Sequence, residues 1–184
     1  YVLMESIKRD PNRVDIAELT PTQNNEPNIT GGYIFSLDGI DGETPAGAAW
    51  RTERNIPTLG DSWLVHEYPD YPVMTEAQVA YLRNYIQDFE DALYGPNSTD
   101  PVLGYQAYFD VEAAIDFHLI RTLSKEPDSF RFSTYLTKDR DGKIAFGPVW
   151  DFDRSSGSED GRSSNPQSWA LSGSGANFFE SDWW

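Results

Sequence analysis

The chain has 184 residues, 39% apolar and 14% aromatic, enough to bury one substantial core and too much for a disordered acidic tail. Its formal charge of −16 argues against nucleic acid or an anionic membrane as partner, because phosphate groups repel such a surface. It has no cysteine, which excludes disulfides, zinc-thiolate sites and thiol catalysis, and no apolar run of about 18 residues that would suit a transmembrane helix.

Tyr1-Val2-Leu3-Met4-Glu5 reads as a short apolar strand ending in an acid, and residues 1–38 as strands joined by a loop from Thr20 to Asn28. Residues 39–62 are rich in Gly, Pro and charge without a clear period, which predicts a long ordered loop. Thr75 with Gln78 forms a capping-box signature. Val79, Leu82, Ile86, Phe89 and Leu93 then recur at helical spacing until Gly95-Pro96 ends the segment. Asp110 is placed to cap a second helix through Ser124, expected to bury Val111, Ile115, Leu119 and Leu123, with Pro127 stopping it. His118 borders that face and His66 lies between Val65 and Glu67. Both suit packing better than ligation, so transition-metal chemistry has little support.

The most informative stretch follows. Phe130 to Lys138 alternates Phe130, Phe132, Thr134 and Leu136 with Arg131, Ser133, Tyr135 and Thr137, the period of a half-buried strand. Asp141-Gly142 is a strong turn signal, and Lys143 to Trp150 reads as the return strand. With Arg140 and Asp141 as the loop, Phe130 faces Asp151 and Asp128 faces Asp153. Carboxylates converging in this way would repel unless a cation lay among them, and oxygen ligands favour Mg²⁺, Mn²⁺ or Ca²⁺. Asp128, following Pro127, also suits an ordinary turn start. Asp139-Arg140-Asp141-Gly142 resembles the middle of an EF-hand loop, but Thr137 and Pro148 fall at its first and last ligand places, leaving Asp139 and Asp141 as turn acids. Arg154 to Ser168 is rich in Ser, Gly and Asn, a connecting or substrate-binding loop. Trp169, Phe178, Phe179, Trp183 and Trp184 then restore aromatic content suited to core docking or to stacking on sugar rings.

An aspartate before a hairpin and another closing its return strand is a layout used in phosphoryl transfer. Pro127-Asp128-Ser129-Phe130, Ser133 to Asp141 and above all Gly147-Pro148-Val149-Trp150-Asp151-Phe152-Asp153 resemble the CotH kinase family of atypical protein kinases. Tyr1 to Lys8, Ile29 to Asp38 and the terminal aromatics are similar to family segments with less specificity. The resemblance implies an α+β, kinase-like fold, mainly the C-terminal lobe, with helices packed around a hairpin that bears a metal site. It implies one CotH-like domain over residues 1–184, expected to be a fragment that lacks both the extreme C-terminal part and the N-terminal nucleotide-binding lobe, whose phosphate-gripping lysine and glycine-rich loop would lie upstream.

Carried across, the resemblance makes Asp128 the base that orients an acceptor hydroxyl, Asp151 the metal-binding aspartate and Asp153 a second ligand. Ser133, where many members carry Asn, falls on the cofactor side. So does Glu5, by analogy with the kinase hinge that holds adenine, although Glu5 equally suits an ion pair beside Lys8 and Arg9. ATP and Mg²⁺, with Mn²⁺ as alternative, would be the cofactors. A Ser/Thr-bearing, basic protein would be the acceptor, in an extracellular or surface setting. Two other classes stay open: a non-catalytic surface or adhesion module that keeps the fold, and a carbohydrate-associated module or glycoside hydrolase using paired carboxylates.

Overall fold

A computed structural model describes residues 5–54, 62–128, 130–157, 161–167 and 183. These form an α+β unit in which two helices pack on a five-stranded, wholly antiparallel sheet. The strands are β1 (Tyr33–Gly39), β2 (Ala49–Trp50), β3 (Ser62–Tyr68), β4 (Thr134–Lys138) and β5 (Ile144–Phe146), and the helices are α1 (Glu76–Leu93) and α2 (Val111–Ser124). The spatial order β2-β3-β1-β4-β5 puts β1 in the centre, where Tyr33 to Leu37 are buried on both faces.

Period-2 alternation divides β1 between two environments. Phe35 and Leu37 join Leu64, Leu136, Leu82, Ile86 and Phe89 in the main core. Ile34 points the other way, into a smaller cluster with Val14 and Ile16, and Ser36 and Asp38 follow on that second face. Between Ile34 and Phe35 the β1–β3 register skips Glu67. Ser36 Oγ donates to Glu67 Oε1 at 2.6 Å across this irregularity. The second face of the sheet is therefore polar and acidic toward the end of β1.

The first helix starts where its sequence signals predict. Thr75 Oγ1 accepts from Gln78 N at 3.2 Å and Gln78 Oε1 accepts from Thr75 N at 3.2 Å, a complete capping box, and Leu82, Ile86 and Phe89 are buried. The second helix also begins at its predicted cap, with Asp110 Oδ1 accepting from Ala113 N at 3.1 Å. Its buried face is different from the expected one. Phe117, Arg121 and Thr122 turn inward, whereas Ile115, Leu119 and Leu123 are exposed, Leu123 at 85%. Phe117 wins because its ring stacks on Phe146 at 5.0 Å and meets Phe130 at 6.5 Å, an aromatic contact that a Leu/Ile stripe lacks.

The hairpin exists, but it is shorter than the alternation implies and one residue out of register. Leu136 faces Phe146, Thr137 faces Ala145 and Lys138 faces Ile144. Asp141 supplies a positive φ of 53° in a longer loop, which shifts the pairing and changes which side chains share a face. The ladder begins at Thr134, since Ser133 has φ 49° and cannot continue a strand. Residues 130–132 are turn, and the return strand ends at Phe146. Asp128 and Asp153 are thus not opposed across a ladder. The turn acids anchor the amino-terminal region: Asp139 Oδ1 accepts from Ala17 N at 2.8 Å, and Thr30 Oγ1 bonds Asp141 Oδ1 at 3.1 Å. At Gly31 an added Cβ would lie 2.0 Å from the Asp139 carbonyl carbon, so only glycine admits this approach.

The amino-terminal and loop readings also change. Within residues 5–38 the regular elements are β1, a 3-10 turn at Asn28–Thr30 and an isolated bridge between Arg9 and Val14, and Glu5 is not in a strand. Residues 1–4 lie outside the described residues, as do Trp169, Phe178, Phe179 and Trp184. Strand β2 lies inside the stretch 39–62 expected to be loop, and β3 begins at the last residue of that stretch. Trp183 does dock on the core, 5.3 Å from the Phe89 ring, with Nε1 donating to Glu90 Oε1 at 2.8 Å.

Candidate functional site

Three segments meet behind the start of β4: the end of α2 with the turn that follows it, the left-handed residue Ser133, and the arm from Gly147 to Arg154. Arg121 lies at their junction and is fully buried. Its Nη2 donates to the Ser133 carbonyl at 3.0 Å and its Nη1 to the Asp151 carbonyl at 3.3 Å. The guanidinium sits between the Phe117 and Phe152 rings, at 5.0 and 4.6 Å. Burial draws its pKa down to about 10, opposed by the charges of Glu126 and Asp151, so it remains cationic at neutral pH.

Around this cation the structure gathers four of the five residues singled out from sequence. Ser133 Oγ donates to Asp151 Oδ2 at 3.0 Å, although the residues are 18 positions apart. Asp151 has φ 57°, like Ser133 a non-glycine residue in the left-handed region, and its side chain reaches solvent. Asp128 opens a tight turn in which its carbonyl accepts from Arg131 N at 3.0 Å and Phe132 N at 2.9 Å. Its carboxylate pairs with Arg154, Nη1 to Oδ2 at 2.6 Å. Asp153 is exposed and contributes, with Asp128, to the field felt by Glu126. Glu5 stands apart: it is exposed and paired with Arg13 at 2.5 Å. It does share a cleft of about 230 Å³ with Pro148, Val149 and Trp150, the residues leading into Asp151.

Three contributors had no role in the sequence reading. Glu126 is buried, accepts from Asp128 N at 3.3 Å and has its pKa pushed up to about 7, mainly by burial. Asp38, at the end of β1, takes backbone N–H groups from Gly39 and Ser133, yet its pKa is raised by burial and further by the Asp151 charge. Arg121 is the third. The period-2 pattern Ile34, Ser36, Asp38 was a signal for Asp38, since it predicts a shared polar face. Nothing local marked Arg121, a single arginine on an apolar helix.

Among the described residues no three His, Asp or Glu side chains stand close enough to hold a metal ion by themselves. The expected convergence of Asp128, Asp151 and Asp153 on one ion is therefore not what the chain alone builds, because the register slip and the Arg154 pair draw Asp128 aside. The donor set still fits Mg²⁺ or Mn²⁺. It is oxygen only, Asp38 and Asp151 repel each other, and Mg²⁺ commonly uses one or two carboxylates while phosphates and water fill its remaining positions. No helix among the described residues is long and apolar enough to cross a membrane. No curated protein and no solved structure matches the chain. A family model described as CotH kinase protein matches residues 1–183.

Proposed function

Because the chain belongs to the CotH kinase family, we propose that it is an atypical protein kinase that transfers the γ-phosphoryl group of ATP to a Ser or Thr hydroxyl, with Asp128 and Asp151 in separate roles. The observation that carries this reading is that one buried arginine grips the backbone of Asp151 and Ser133 while the adjoining turn presents Asp128. Under it, Asp128 accepts a hydrogen bond from the acceptor hydroxyl and takes its proton as the new O–P bond forms and the bond to the leaving diphosphate breaks. Asp151, with Asp38 or Asp153 beside it, would hold Mg²⁺. The bound ion would offset the phosphate charge of the nucleotide in an otherwise anionic chain. Arg154, half exposed and paired with Asp128, holds that carboxylate in place until an acceptor arrives.

The acidic surface favours a basic acceptor segment, and an extracellular or cell-surface setting belongs to the same proposal. The kinase-like character of the fold is part of it too: helix, acid, hairpin, acid is the chain order expected of a C-terminal lobe. Incubating the chain with labelled ATP, Mn²⁺ or Mg²⁺ and a basic Ser-rich peptide tests the reading. Transfer that Asp128→Ala abolishes is the expected result. Absence of transfer in the wild type under either ion, or equal transfer in the mutant, would refute it.

A further inference from the structure

The fork of Arg121 ends on the carbonyls of Ser133 and Asp151. These are two of the five non-glycine residues with positive φ among the described residues. Such backbones are costly and persist only where surrounding contacts determine them. Here the contacts come from behind, out of solvent, while in front Ser133 Oγ bonds Asp151 Oδ2 and Asp38 takes the Ser133 N–H. Resting on the kinase reading above, we propose that Arg121 is a positioning residue: by clamping two left-handed carbonyls it aims the Asp151 carboxylate outward to receive the divalent ion.

A simple core arginine would not need a planar fork. The two carbonyls are bonded from two separate nitrogens, Nη1 and Nη2, whose spacing the planar guanidinium fixes, with its carbon 5.0 Å from the Phe117 ring and 4.6 Å from the Phe152 ring, whereas a lysine would bring one nitrogen to both. Charge also fits the assignment. Glu126, on the turn after α2, and Asp151 both act on the guanidinium electrostatically, so one cation is shared between the two parts of the site. Loss of the fork with the charge retained should therefore spoil metal binding more than folding.

The test is Mn²⁺ binding to the wild type and Arg121→Lys by isothermal titration, without acceptor, alongside amide hydrogen exchange. Expected is at least a tenfold weaker Mn²⁺ affinity in the lysine variant. Faster exchange should appear at residues 133–135 and 150–152, with the amides of α1 unchanged. If the lysine variant does not fold, Phe152→Leu removes one ring face of the clamp and should shift affinity and exchange in the same direction by less. Equal Mn²⁺ affinity in wild type and variant would overturn the positioning role alone, as would exchange that rises equally throughout α1. A wild-type chain that binds no Mn²⁺, with or without ATP, would overturn the kinase reading and this inference together.

Discussion

Ser133 is where backbone strain and metal chemistry meet, and replacing it with Asn separates the two. A left-handed φ at a non-glycine residue costs about 1 kcal/mol, and Asn occupies that region several times more readily than Ser. The variant loses the Ser133 Oγ bond to Asp151 Oδ2, worth about 1 kcal/mol at most in this solvent-facing position, but the Asn amide can donate in its place. These effects nearly cancel, so stability in urea should lie within about 1 kcal/mol of wild type. An amide oxygen beside Asp151 is a further hard ligand, and a gain of about 1 kcal/mol corresponds to roughly fivefold lower half-saturating Mn²⁺. Ser133→Gly is the control, since it relieves φ with neither donor nor ligand. Titration of Mn²⁺ against both variants reads the difference. If Asn and Gly shift Mn²⁺ affinity equally, or neither shifts it, residue 133 does not face the ion.

Further expectations concern the scaffold. His66 is buried, stacked at 4.2 Å on Trp50, and its pKa is pulled down to about 3, mainly by burial. The unfolded chain takes up a proton below about pH 6.5 that the native state refuses, so stability should fall by up to about 1.4 kcal/mol per pH unit as pH drops toward 3. His66→Phe should flatten that slope in urea melts between pH 7 and 4, and parallel slopes would refute it. Glu126 has the opposite sign, because its folded pKa is raised to about 7. Its contribution is complete below about pH 4.5 and is lost as pH rises through 7, so Glu126→Gln should gain on the wild type at pH 8 relative to pH 4.5. Thr75→Ala removes the α1 cap and should cost about 1 kcal/mol, seen as a lower melting temperature with the sheet spectrum unchanged.

Much of this architecture was legible where a local signal and the tertiary environment agree. Thr75, Gln78 and Asp110 fixed the helix starts because capping is satisfied within one turn. The turn at Asp141-Gly142 and the existence of a hairpin after Asp128 followed from a turn signal and period-2 alternation, but the bond between Ser133 and Asp151 did not, because the expected register set Phe130 against Asp151. What failed depended on distant packing. The exposed Ile115, Leu119 and Leu123 stripe has the right period for burial, but rotation of α2 is decided by Phe117 against Phe146 and by the buried Arg121. Register failed by one residue because a positive φ fell on Asp141 and the chain broke strand at Ser133, choices that composition does not encode. β3 was missed although Trp63-Leu64-Val65 is strand-like, since its neighbours read as loop and its β1 partner is more than twenty residues earlier.

The most direct measurement is a paired assay of Asp128→Ala and Asp151→Ala for nucleotide-dependent Mn²⁺ binding and for phosphoryl transfer. The account predicts that Asp128→Ala keeps Mn²⁺ and nucleotide but transfers nothing, whereas Asp151→Ala loses the ion and with it the transfer. Both variants binding Mn²⁺ and transferring phosphate as the wild type does would contradict it.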